Sequence, residues 1–252
     1  VAADYPHLEA LFRHFHANPE LSLQEVETSQ RLARELRDLG FEVTTGVGKT
    51  GVVAILRNGA GPTLLVRADM DALPVVEKSG LPYASTRRQV NLEGEEMPVM
   101  HACGHDMHMT SLVGVARRLV AMKSDWRGTL MLVGQPAEEN GGGAKGMVAD
   151  GLYRRFGRPD AALALHVIPK YPAGKIAFSD GLMYSSADTV TITVRGKATH
   201  GASPHLGNDP VVIGSQIVLA LQAIVTREVS PIEPALITVG AFRGGTAPNV
   251  IP

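Results

Sequence analysis

The chain has 252 residues, 44% hydrophobic and 19% charged, a balance that supports a packed core in one large domain or two smaller ones. A formal net charge of −1 leaves no basic surface for nucleic acid or an anionic membrane, and the single cysteine excludes an internal disulfide. The most apolar run, residues 112–122, is broken by Arg117 and Arg118, so no stretch is expected to reach the ~18–20 residues of a membrane span. A soluble protein is expected, with the cytoplasm favoured and a periplasmic or secreted location left open.

Residues 5–17 predict an amphipathic helix, with Leu8, Leu11, Phe12 and Phe15 at helical spacing, ended by Asn18-Pro19. Ser22-Leu23-Gln24-Glu25 has the form of a capping box and is read as the start of a second helix that ends at Gly40. Strands are expected over 41–47 and 51–56. Residues 63–68, apolar and β-branched, read as a strand buried on both faces and ending in Asp69-Met70-Asp71. Residues 79–98 lack periodicity and carry Glu93, Glu95 and Glu96, so they are read as loop. The stretch from Met100 to His108 follows, with Cys103, His105, Asp106 and His108 inside it, and then a helix over 110–123. Residues 128–134 read as a second buried strand running into Gln135-Pro136-Ala137-Glu138-Glu139. Gly141-Gly142-Gly143 then opens a helix reaching Leu152, and residues 161–165 read as a third buried strand ending in His166.

Past about residue 185 the texture changes. Residues 188–195 alternate as a half-solvated antiparallel strand, Asp209-Pro210 starts a helix reaching about residue 229, and 236–242 reads as a further strand. The expected architecture is α/β: a mostly parallel sheet with helices on both faces over residues 1–184, then a smaller α+β domain over 185–252. That second domain ends at Pro252 with nothing to close it and is expected to be incomplete.

In open α/β sheets ligands bind outside the carboxyl ends of the strands. Three expected strands end in Asp69/Asp71, Glu138/Glu139 and His166, and the Cys-His stretch precedes a helix. A thiolate, imidazoles and carboxylates form a transition-metal donor set. Cys103 and His105 are one residue apart beside a glycine, so both side chains can turn toward one centre. Two adjacent carboxylates repel in one pocket unless one ligates and the other stays free as a proton shuttle. Taken singly each signal is weak: a Glu-Glu pair is usually a solvated loop, and a lone strand-end histidine is structural as often as it is a ligand. The conjunction carries the reading.

Six ordered motifs resemble those of the M20 metallopeptidase family, in its aminoacylase, hippurate hydrolase and auxin-conjugate amidohydrolase branch. They are Arg67-Ala68-Asp69-Met70-Asp71-Ala72-Leu73-Pro74, the segment Met100 to Asp106, Gln135 to Glu139, Leu165-His166, Arg195 to His205, and Ala247-Pro248-Asn249-Val250-Ile251-Pro252. The resemblance implies two divalent transition ions, zinc or manganese and possibly cobalt. Cys103 would bridge them, with His105 and His166 on one side and Glu139 on the other. It further implies Glu138 as general base for a metal-activated water, Asp71 as the acid that orients the site, and His200 and Asn249 as substrate contacts from a ferredoxin-like lid and dimerisation domain. Asp69 stands where other branches have a histidine ligand and is given no metal role. The family's last ligand histidine belongs to a C-terminal return that this sequence lacks, so the site is expected to be one ligand short.

The implied reaction is hydrolysis of the amide bond of N-acyl or N-aroyl amino acids or short peptides, by a homodimer. Two other readings remain open. Cys103 could be a nucleophile with His101 or His105 as its base, which leaves Glu138, Glu139 and His166 without a role. Alternatively, the chain could be a catalytically impaired metal-binding or dimerising fragment. Residues 87–98 form a longer connection than the resemblance implies; a pocket rim and an inert surface loop are both compatible with that.

Overall fold

The computed structural model describes residues 2–181 and 186–252 and separates into two compact units, one up to Lys175 and one from Ile176. The expected boundary at 184/185 lies outside the described residues.

In the first unit, α1 (Tyr5–Ala17) occupies the predicted range and buries Leu11 and Phe15. Next come α2 (Val26–Asp38), β1 (Glu42–Val47), β2 (Gly51–Asn58) and β3 (Thr63–Asp69). A short hairpin follows, β4 (Arg88–Val90) and β5 (Glu96–Pro98), then α3 (His105–Ala121) and β6 (Gly128–Gln135). The unit continues through α4 (Gly143–Ala149), α5 (Leu152–Phe156) and β7 (Ala161–Ala164). The sheet order is β1-β2-β6-β3-β7, with the first two pairings antiparallel and the last two parallel, so the α/β architecture is built on a mixed sheet.

Strand alternation divides the core between the two faces. Val52, Ala54, Leu56, Leu130 and Leu132 pack with Leu11, Phe15, Leu32, Leu36, Met109 and Leu112 from α1, α2 and α3. Val53, Ile55, Met131 and Val133 face the other way and pack with Met147 of α4 and Leu152 of α5. Each fully buried side chain of this kind contributes about 1.5–3 kcal/mol. The parallel register sets Asp69 of β3 opposite Gln135 of β6, and Arg67 opposite Ala164 of β7. The chain therefore leaves all three strands at one edge, and that edge receives the polar residues.

Several sequence expectations need correction. Helix α2 starts at Val26, because Ser22 is engaged elsewhere and Leu23 takes a left-handed φ of 62°. Helix α3 starts at His105 rather than Thr110, launched from Gly104 at φ 82°. The supposed loop over 79–98 contains the β4–β5 hairpin, whose three-residue strands are too short to show a period. Strand β7 is exposed throughout, with Leu163 at 59%; among the described residues it pairs only with β3, and an apolar run cannot report whether anything covers it.

In the second unit, α6 (Pro210–Ala223) is capped by Asp209, whose carboxylate accepts from the N–H of Val211 at 2.8 Å and Val212 at 3.2 Å. A π turn, Ile224–Glu228, extends it. Pro210–Glu228 spans 19 residues with mean hydropathy 1.5, long and apolar enough to cross a bilayer by length and composition, contrary to the expectation that no such run exists. Strand β8 (Thr199–His200) pairs antiparallel with β9 (Val250–Ile251). Neither 188–195 nor 236–242 forms a strand among the described residues: alternation without a partner strand leaves ladder groups unmet.

Candidate metal centre

At the strand edge, His105 is fully buried, and its Nδ1–H donates to the Asp71 carbonyl at 2.7 Å. That bond leaves Nε2 as the lone-pair nitrogen, and Nε2 has no hydrogen-bond partner among the described residues. Around it stand Asp69 Oδ2 at 3.6 Å, Glu139 Oε1 at 3.7 Å and Glu138 Oε2 at 3.9 Å. Glu139 Oε1 is likewise buried without a partner. Two orphaned acceptors facing one another in a protein interior are costly unless a cation lies between them.

The half-buried Cys103 lies with its Sγ 3.4 Å from His166 Nε2. His166 donates from Nδ1 to the Val167 carbonyl at 2.7 Å, so it too presents Nε2. Ligand atoms of Cys103, His105 and His166 lie within 4.8 Å of one another, as do those of His105, Glu138 and Glu139. His105 joins the two groups. Soft sulfur, two imidazole nitrogens and carboxylate oxygens are the chemistry of a transition-metal site, and the residues present fit one. A third group of the same kind, Asp69, His105 and His108, meets the same distance criterion.

The electrostatics also call for positive charge. Burial works against a charged His105, yet Asp71, Asp69 and Glu139 outweigh it and lift its pKa. Burial raises Glu139, and so do Glu138 and Asp71. The Cys103 thiol is pushed up to about 12 by burial and by the neighbouring Glu139, Glu138 and Asp69 carboxylates. Without a cation this cysteine is a neutral thiol, the wrong state for a nucleophile.

The Glu138-Glu139 turn is held rigidly. Asp71, 1% exposed, accepts from the N–H of Glu138 at 3.0 Å, the N–H of Glu139 at 3.1 Å and the Ser22 hydroxyl at 2.6 Å. The preceding Ala137 sits at φ 46°, costly for a residue with a Cβ, and its N–H donates to buried Glu25 at 2.8 Å. Glu25 also accepts from Leu23 N–H at 3.0 Å and from the Thr50 hydroxyl at 2.5 Å. Gly143 completes the clasp: a Cβ there would lie 1.6 Å from the Pro136 oxygen.

The sequence pattern that defines Peptidase family M20/M25/M40 matches residues 65–251, which contain every one of these metal-site residues. The chain belongs to the M20 family. It is 40% identical over 241 residues to N-acetyl-L-cysteine deacetylase of Bacillus subtilis (strain 168), covering 95% of this chain and 55% of that protein. It is also 40% identical over 245 residues to hippurate hydrolase of Campylobacter jejuni, covering 97% of this chain and 61% of that one. Among solved structures it resembles the Bacillus subtilis YXEP protein, described as a dinuclear metal binding peptidase from the M20 family. That match has a TM-score of 0.66 and 31% identity, over 88% of this chain and 57% of the other. The chain thus spans little more than half the length of the curated relatives it matches.

Other polar residues of this M20 chain brace the site. His108 Nδ1–H donates to Asp69 Oδ1 at 2.5 Å, and His108 Nε2 accepts from Val167 N–H at 2.9 Å, which anchors the segment carrying His166. Burial would raise Asp69, but the His108 bond and Arg67 prevail and hold it at about 2. Gly104 lets this segment approach, since a Cβ on it would lie 2.3 Å from a Val167 methyl. Asp106 turns away from the site to His16 Nδ1, at 2.7 Å. His101 is buried and burial lowers its pKa to about 4, so it is neutral.

In the second unit, the β8–β9 ladder and the Gly201 N–H to Asn249 carbonyl bond at 2.8 Å bring His200 and Asn249 together on an exposed surface. Ala202 N–H donates to His200 Nδ1 at 3.0 Å, which leaves His200 Nε2–H as an outward donor.

Sequence reasoning missed Glu25 and Ser22 as supports, and it offered His108 as a partner of the site without finding its bonds to Asp69 and Val167. Only the polar character of the stretch after Pro19 signalled the first two, and the capping-box pattern drew Ser22 to the wrong partner.

Proposed function

We propose that this chain carries the metal-binding part of an M20 amidohydrolase that cleaves the amide bond of N-acyl or N-aroyl amino acids or short peptides. The observation that carries the reading is the pair of buried, unpartnered acceptors His105 Nε2 and Glu139 Oε1, 3.7 Å apart and joined through His105 to Cys103 and His166. Cys103, His105, His166 and Glu139 would hold two divalent transition ions, zinc or manganese with cobalt tolerated. When bound, such ions acidify water and polarise an amide carbonyl.

Glu138 is the general base. Its side chain is 37% exposed against 19% for Glu139, so it is the member of the pair that reaches solvent and substrate. It takes the proton of the attacking water and returns it to the leaving amine. Asp71 fixes the Glu138–Glu139 backbone and so aims both carboxylates. The His200 Nε2–H is a suitable donor for the developing oxyanion, and Asn249 beside it is a substrate contact. The unit up to Lys175 would house the chemistry, and the second unit would act as lid and homodimer interface.

The test is a hydrolysis screen of the full-length protein on N-acetyl and N-benzoyl amino acids and dipeptides, with Zn²⁺, Mn²⁺ or Co²⁺ supplied. Exhaustive chelation should lower activity at least about a hundredfold, with recovery on adding one of these ions back. Full activity after chelation would contradict the reading.

A further inference from the structure

Beside Glu139 opens a cavity of about 260 Å³. Its walls come from Leu21 ahead of α2, Leu73 and Pro74 after β3, and Leu92 and Glu93 at the tip of the β4–β5 hairpin. Among the described residues no lysine, arginine or histidine lines it.

The hairpin is a built wall rather than a slack connection. At its tip Asn91 Oδ1 accepts from Glu93 N–H at 3.1 Å and Glu95 N–H at 2.8 Å, and Gly94 takes the left-handed φ of 87° that the turn requires. At its base Gln89 accepts from Leu21 N–H at 2.8 Å, and Met97 packs on the buried cluster of Leu21, Ala72 and Val99. Arg87 pairs with Glu27 at 2.8 Å. Between the two strands this scaffold holds Leu92, 59% exposed at the tip of an otherwise polar turn and facing the cavity. An exposed leucine alone is ordinary. A leucine fixed on a braced turn over a cavity that a proposed metal ligand also lines is a specificity element.

We propose that this cavity is the subsite for the acyl group of the substrate and that Leu92 sets its size and polarity; the proposal rests on the amidohydrolase reading above. Three features point there. Contact with Glu139 puts the cavity next to where the scissile bond must lie. Its lining offers Glu93 and the apolar side chains of Leu21, Leu73, Pro74 and Leu92 but no basic side chain to hold the carboxylate of an N-acyl amino acid, so the uncharged acyl end is the better occupant. An apolar cavity of roughly 150 Å³ is enough to hold benzene, so this volume suits a benzoyl or medium alkyl group and leaves an acetyl group with few contacts.

The experiment compares kcat/KM for the N-acetyl, N-benzoyl and N-succinyl derivatives of one amino acid, in the full-length enzyme and in its Leu92→Ala and Leu92→Lys variants. Leu92→Ala should lower the benzoyl-to-acetyl ratio on the order of tenfold. Leu92→Lys should raise the succinyl-to-benzoyl ratio by at least as much, since it places a cation beside the cavity. Metal content and circular dichroism verify that each variant retains its site and fold. Ratios unchanged in both variants, or an equal loss on all three substrates, would overturn the acyl-subsite assignment while sparing the amidohydrolase reading. Failure of the unmutated enzyme to cleave any N-acyl amino acid would overturn both.

Discussion

Glu138→Gln should lower kcat by about 10²–10⁴-fold while metal content and melting temperature stay near those of the unmutated enzyme. The substitution keeps the size and one acceptor oxygen of the side chain and removes its basicity. Its neighbours do not depend on that basicity: Asp71 holds the Glu138 backbone N–H, not its carboxylate. Glu139→Gln makes the contrast. It alters the buried oxygen that faces His105, so metal content should fall together with activity. Metal titration and steady-state kinetics on both variants separate the two roles. Equal behaviour of the two would mean that the division of labour within the pair is misassigned.

Asp71→Ala should be the most damaging substitution at a residue that is not itself a proposed metal ligand. It strands the N–H groups of Glu138 and Glu139 and the Ser22 hydroxyl, each of which now donates to this carboxylate. A donor left unmet in the interior costs about 1–3 kcal/mol, so a loss of several kcal/mol in stability is expected. The released turn no longer aims its carboxylates, and kcat/KM should fall about a hundredfold or more, since misplacement by ~1 Å is enough for such a loss. Asp71→Asn, which keeps one acceptor oxygen, should recover part of the stability and less of the activity. Denaturant unfolding and kinetics check both. Full activity with Asp71→Ala would show that the turn is held by other means, with Glu25 and Gly143 the next supports to examine.

The fold was legible where local pattern and environment agree. The range of α1 follows from its apolar spacing, and β2, β3 and β6 from their apolar runs, because each meets its full complement of neighbours. Strand β7 has the same composition but one neighbour among the described residues, so the burial expected of it is not met. The β4–β5 hairpin gave no period because its strands are three residues long, and its order comes from Asn91 and Gln89 side chains instead.

At the site, the residues at the strand ends could be gathered from the rule that parallel strands deliver their carboxyl ends to one edge. Cys103, His105 and His166 come within ligand spacing there, as do His105, Glu138 and Glu139. The supports could not be found the same way. Glu25 acts on Ala137 across 112 positions, Ser22 on Asp71 across 49 and His108 on Val167 across 59, and no local pattern encodes such pairings. Ser22 is the sharpest case: the capping-box signature was present, yet burial of Asp71 demanded the hydroxyl more than the helix end did.

The most direct measurement of the central claim is anomalous diffraction from crystals of the full-length protein loaded with Zn²⁺ or Mn²⁺. Two peaks are predicted among Cys103, His105, His166 and Glu139, the residues that would hold the ions, at ligand distances of about 2.0–2.3 Å. A single ion on Asp69, His105 and His108, the other group with ligand spacing, would contradict it.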